Sequence, residues 1–179
     1  MLFRSSFPFS CPPYYLIRER LLGKKEEEGQ TVGCFLFRNG KWEPDDRNTV
    51  MDHLHGYEPL EPEGSPYGYG GGSMMDIDEI SEEEAVKVMN RQILDLLITK
   101  WNGEFREEKE EWDRHPGWPS KYVETIFILN GVKLSLLPKD LGYTDNCWDQ
   151  GFMETIQGRM KKDLEEYGAT GILNLGFID

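Results

Sequence analysis

The clearest rhythm among the apolar positions is helical. Val86, Met89, Ile93, Leu96 and Leu97 recur at three- and four-residue steps out to Trp101, which predicts one buried face of an amphipathic helix. Ser81 and Glu84 ahead of it form a capping-box pattern, Glu82 to Glu84 suit the positive end of a helix dipole, and Gly103 marks a stop. A second stripe, Trp148, Phe152, Ile156, Met160 and Leu164, predicts a helix from about Cys147 to Tyr167, ended by Gly168. Gly151 and Gly158 inside it point to close packing against a neighbouring backbone. Residues 104–114 are charged throughout, with Phe105 and Trp112 seven apart, and read as an exposed helix that ends before Pro116 and Pro119.

Other stretches carry strand signals. Residues 122–137 flank Asn130-Gly131, a two-residue hairpin turn, and pairing outward sets Leu129 opposite Val132, Phe127 opposite Leu134 and Thr125 opposite Leu136. The other face mixes Ile126 and Ile128 with Lys133 and Ser135, so it is only partly apolar. Val32–Arg38 is rich in strand formers, and Asn39-Gly40 folds Lys41-Trp42-Glu43 back as a stub strand. Ile172–Ile178 reads as a closing strand. Pro13–Gly23 reads as a short N-terminal helix, with Lys24–Gly29 as a linker.

The resulting order is strand, helix, strand, strand, helix, strand on a single α+β domain spanning residues 1–179. It predicts the ferredoxin-like βαββαβ arrangement, an antiparallel sheet with two helices on one face, to which the N-terminal helix and a long insertion are added. The insertion is residues 45–80, with Pro59, Pro62, Pro66 and the run Gly68 to Ser73, and it shows neither helical nor strand periodicity.

Charge sharpens that boundary. The 179 residues have a formal net charge of −13, yet residues 1–42 carry 7 bases and 4 acids while residues 43–84 carry 13 acids and one base, Arg47. Almost the whole imbalance lies in the second stretch. Such acidity argues against direct nucleic-acid binding and against an anionic membrane, because neutralising phosphates needs clustered Lys and Arg. No run approaches a membrane span, and the first eleven residues lack the apolar stretch of a signal peptide. Three cysteines (Cys11, Cys34, Cys147) with no CxxC suit a reducing cytoplasm.

The acidic insertion therefore carries the leading functional expectation: a small cytoplasmic binding or inhibitor protein that engages a basic protein surface, in the extreme form as a nucleic-acid mimic. The contact residues would be Asp45, Asp46, Tyr57, Glu58, Glu61, Glu63, Tyr67, Tyr69, Met74, Met75, Asp76, Asp78 and Glu79, the acids steering and the Tyr and Met side chains anchoring. The alternative is an enzyme. Cys147 at a helix start would feel the dipole that lowers a thiol's pKa and could serve as a nucleophile. Asp52, His53 and His55 could hold a divalent metal such as zinc, because alternate residues of an extended segment project to one side. Otherwise no cofactor is expected. The glycine run matches no phosphate-binding loop, and Asp76, Asp78 and Glu79 lack the spacing of a calcium loop. A third reading is a homo-oligomer held by the hairpin face around Ile126 and Ile128.

Overall fold

Two Asn-Gly turns set the registers of two separate sheets. A computed structural model describes residues 12–55, 76–107, 110, 120–142 and 147–178. Asn39-Gly40 and Asn130-Gly131 both hold two consecutive residues in the left-handed region, with φ of 51° and 77°, and 49° and 77°. That is the backbone twist a two-residue hairpin requires. Around the first turn, β3 (Thr31–Arg38) pairs with β4 (Lys41–Pro44). Around the second, β6 (Ser120–Leu129) pairs with β7 (Val132–Leu136) in the predicted register, Leu129 opposite Val132, Phe127 opposite Leu134 and Thr125 opposite Leu136.

The fold is α+β and antiparallel, as expected, but its strands form a five-stranded and a four-stranded sheet. The described chain groups into two compact units, residues 1–89 and 90–179. The expected βαββαβ order drew Val32–Arg38 into one sheet with the later hairpin. Instead β3 finds its partners locally: β1 (Tyr14–Ile17), β2 (Leu21–Glu28), β3 and β4 form a meander, and β5 (Ile77–Ile80) adds to the free edge of β1. The predicted N-terminal helix is thus the β1–β2 hairpin. Its turn is built on Arg18 and Glu19, with φ of 50° and 56°, and the N–H of Arg20 donates to the Ile17 carbonyl at 3.1 Å. The predicted linker is the charged half of β2. Lys24 pairs with Glu26, and Lys25 with Glu27 at 2.9 Å, because residues two apart on a strand share a face.

Residues 45–80, expected to be irregular, contribute α1 (Thr49–His55) and β5. Helix α1 lies on one face of the first sheet, where Val50 and Leu54 join Tyr15, Ile17, Leu21, Cys34, Leu36 and Ile77. Gly23 is the seat of that helix: a Cβ there would meet Val50 Cγ2 at 2.7 Å. A glycine that looked like a helix stop is instead a gap in a strand through which the helix approaches.

In the second unit β9 (Thr170–Ile178) runs along one edge of β6, and β7 and β8 (Cys147–Asp149) share the other. Gly171, with φ 61°, forms a bulge where β9 passes Ile126 and Ile128. Phe127, Leu129 and Leu136 are buried on the inner face, as are Ile93, Leu97 and Trp101 of α2 (Glu82–Glu104) and Ile156, Met160 and Leu164 of α3 (Gln150–Glu166). Both helices form, and Met89, Ile93, Leu97 and Trp101 of the first stripe and Ile156, Met160 and Leu164 of the second are buried as predicted, whereas Leu96 is exposed and Trp148 stands on β8 ahead of the helix. The space beside Gly158 is open, so close backbone packing does not account for that residue. The box at the start of α2 is also as predicted: Glu84 N–H donates to Ser81 Oγ at 3.2 Å, and Ser81 N–H donates to the Glu84 carboxylate at 3.0 Å.

Polar groups lock this unit together. The buried Asn90 donates to the Leu129 carbonyl at 3.1 Å and accepts from the Asn130 amide at 2.8 Å, fixing the helix on the hairpin turn. Trp101 Nε1 and Lys100 Nζ both donate to Asp163, at 2.8 and 2.7 Å. Burial pushes the Asp163 carboxyl up, but its hydrogen bonds from Lys100 and Trp101 outweigh that and hold it below the ordinary carboxylate value. No helix of the described residues is long and apolar enough to cross a membrane.

Candidate interaction surface

The acidic residues expected to meet a partner divide according to their place on the first sheet. β5 is an outermost strand, and Asp78 and Glu79 on it are exposed. Being consecutive on a strand, they lie on opposite faces, Asp78 in register with Leu16 and Glu79 with Tyr15. Asp76, also exposed, accepts the Arg18 N–H on its carbonyl at 2.6 Å and pairs with the Arg18 guanidinium at 3.4 Å. Asp46 is exposed in the turn before α1.

Asp45 behaves differently. It is only 9% exposed, its Oδ2 accepts the N–H of Val50 at 2.8 Å, and its own N–H donates to the Cys34 carbonyl at 2.9 Å. It ties the start of α1 to β3, so its carboxylate is engaged within the fold. Tyr57, Glu58, Glu61, Glu63, Tyr67, Tyr69, Met74 and Met75 lie outside the described residues.

The metal-binding expectation rested on an extended backbone, and Asp52, His53 and His55 stand on α1 instead. On a helix, residues two apart are turned by roughly 200°, so the two imidazoles diverge. His53 is buried and its Nδ1 lies 2.8 Å from the Thr49 carbonyl, which can only accept, so Nδ1 carries the proton. His55 is exposed at the helix end. Among the described residues no group of three His, Cys, Asp or Glu is disposed to hold an ion.

Cys147 is the first residue of β8, its backbone paired with Tyr122, and α3 begins three residues later at Gln150. The reason is the length of β6: β7 pairs with five of its ten residues, and β8 occupies the edge left over. Cys147 therefore does not stand at the helix start that the nucleophile expectation required. For Cys34, which is a free thiol, burial and then the Asp45 charge push the pKa up, away from thiolate character.

One surface was missed by reading β1 and β2 as helix and linker. On the sheet face opposite α1, Tyr14, Phe35 and Trp42 are half-buried neighbours. Trp42 lies 6.0 Å from Tyr14 and 5.2 Å, edge-on, from Phe37, and Lys24 Nζ sits 4.8 Å from its ring centre and 5.1 Å from that of Phe35. The signal lay in the alternation of Leu22 and Lys24, Phe35 and Phe37, which places apolar and aliphatic-stemmed residues on one face. Asp78 belongs to this same face, at the β5 edge. Comparison of the chain with protein-family models, with curated proteins and with solved structures returns no match.

Proposed function

We propose that the protein is a small binding protein, not an enzyme, that engages a basic protein surface through the acidic stretch 43–84. One observation carries the reading: 13 acids against one base are concentrated there, and those of β5 stand exposed on the outermost strand of the first sheet. Concentrated negative charge steers a cationic partner and penalises an anionic one. The half-buried Tyr14 and Trp42 supply aromatic anchors on the face that Asp78 shares, the residue types that dominate interface energetics. Occupation of a nucleic-acid-binding groove is the extreme form of this activity. Its setting is the reducing cytoplasm, consistent with a free Cys34.

The test is affinity capture from the native host with the intact chain and with one whose exposed acids in 43–84 are changed to Asn and Gln. Asp45 is left unchanged because it is structural. A stoichiometric partner, released by moderate salt and lost in the neutralised chain, is the expected outcome. The same partners from both chains would contradict the reading.

A further inference from the structure

Among the described residues β9 pairs with β6 alone, which leaves its second edge with a row of unpaired backbone N–H and C=O groups. From Thr170 to Ile178 the strand contains no Asp, Glu, Lys, Arg or Pro. Natural edge strands are commonly blunted by such residues, and both outer strands of the first sheet are: Lys41, Glu43 and Pro44 on β4, Asp78 and Glu79 on β5. The β9 edge is also apolar. Leu173 is 60% exposed and Leu175 38%, and the register places both on the outer face, Leu173 beside Ile126 and Leu175 beside Glu124, with the 42% exposed Ile128 farther along β6.

We infer that this edge is occupied by a second copy of the chain, β9 adding to β9 antiparallel across a two-fold axis at Asn174. Two features select a copy over another partner. The first is charge: chains of net −13 repel one another, and an uncharged strand lets two of them touch without like charges in contact. A basic partner finds no counter-charge on β9 itself, the nearest described acid on that face being Glu124 one strand away on β6. The second is symmetry. Centred on Asn174, antiparallel pairing sets Leu173 of each copy opposite Leu175 of the other and Ile172 opposite Gly176, so the segment Ile172–Gly176 complements itself. The backbone groups of both edges are then satisfied, and the exposed leucines of the two copies close over one another.

Light scattering and sedimentation of the full chain from micromolar to near-millimolar concentration test this. The intact chain is expected to reach twice its 20.8 kDa mass. Leu173→Lys, checked for fold by circular dichroism, should weaken the dimer at least about tenfold, while Ser135→Lys on β7 should leave it unchanged. A monomer across the whole range overturns the inference, as does a dimer that survives in folded Leu173→Lys or is lost equally in Ser135→Lys. Should Leu173→Lys fail to fold, the Asn174→Cys variant decides. A short thiol crosslinker joining the two substituted positions, mapped by mass spectrometry, supports the two-fold register; no such link overturns it.

Discussion

The two sheets are built from the same parts and differ at their edges. Each contains an Asn-Gly hairpin and antiparallel pairing throughout, and each packs a buried apolar face. The first sheet ends on both sides in strands that carry charge or proline, whereas β9 of the second carries neither. The acidity of the chain is therefore more than a uniform solvating coat. On the first sheet charged residues and a proline stand on the two outer strands, the placement that discourages indiscriminate strand addition. On the second sheet β9 has no such residue along its length.

Substitutions within each sheet sharpen the comparison. The largest effect is expected from Gly23→Ala, whose new Cβ meets Val50 Cγ2 at 2.7 Å and displaces α1 from the first sheet. Denaturant unfolding should show a loss of about 2–3 kcal/mol. Combining it with Val50→Ala should cost less than the two changes summed, because they share one contact. Asp163→Ala in the second unit leaves the Trp101 N–H and the Lys100 ammonium without their acceptor and should cost about 2 kcal/mol in the same assay.

Acid extends the Asp163 test. Its folded-state pKa is depressed, so the stabilisation is present above the unfolded carboxylate's pKa and is lost as pH falls through the lower folded value. Thermal midpoints of the intact chain should therefore fall on acidification more than those of Asp163→Asn, and parallel curves would contradict the assignment. Ser81→Ala removes the cap of α2 and should cost about 1 kcal/mol. Smallest is Asp78→Asn with Glu79→Gln, which should change stability by less than about 0.5 kcal/mol. The same pair should make the first sheet more prone to self-association by light scattering, bringing its edge closer to that of β9.

Elements specified by local chemistry were legible from sequence. Asn130-Gly131 determined a register, Ser81 with Glu84 determined a helix start, and the four-residue stripe through Ile156 and Leu164 determined a buried face. Elements specified by long-range pairing were not. Tyr14 to Leu22 places apolar residues at helix-like spacing, and its turn uses Arg18 and Glu19, which carry no hairpin signature although both adopt positive φ. β5 and β8 are too short to announce themselves and exist because β1 and β6 offer unpaired edges. The candidate site followed the same division. The acidic stretch was visible as composition, but Asp45 proved to be a structural cap and the histidines diverged once α1 formed. The aromatic face around Trp42 needs the β1–β2 pairing to exist at all.

On the proposed function a foreign basic partner uses the acidic stretch, whereas the bare edge of the second sheet does not serve that partner. Capture from the native host with the full chain carrying Leu173→Lys, eluted by a salt gradient, tests it most directly. This chain should still retain the partner taken by the intact protein and release it at the same salt concentration. Loss of that partner from a folded Leu173→Lys chain, with every acid of 43–84 in place, would contradict it.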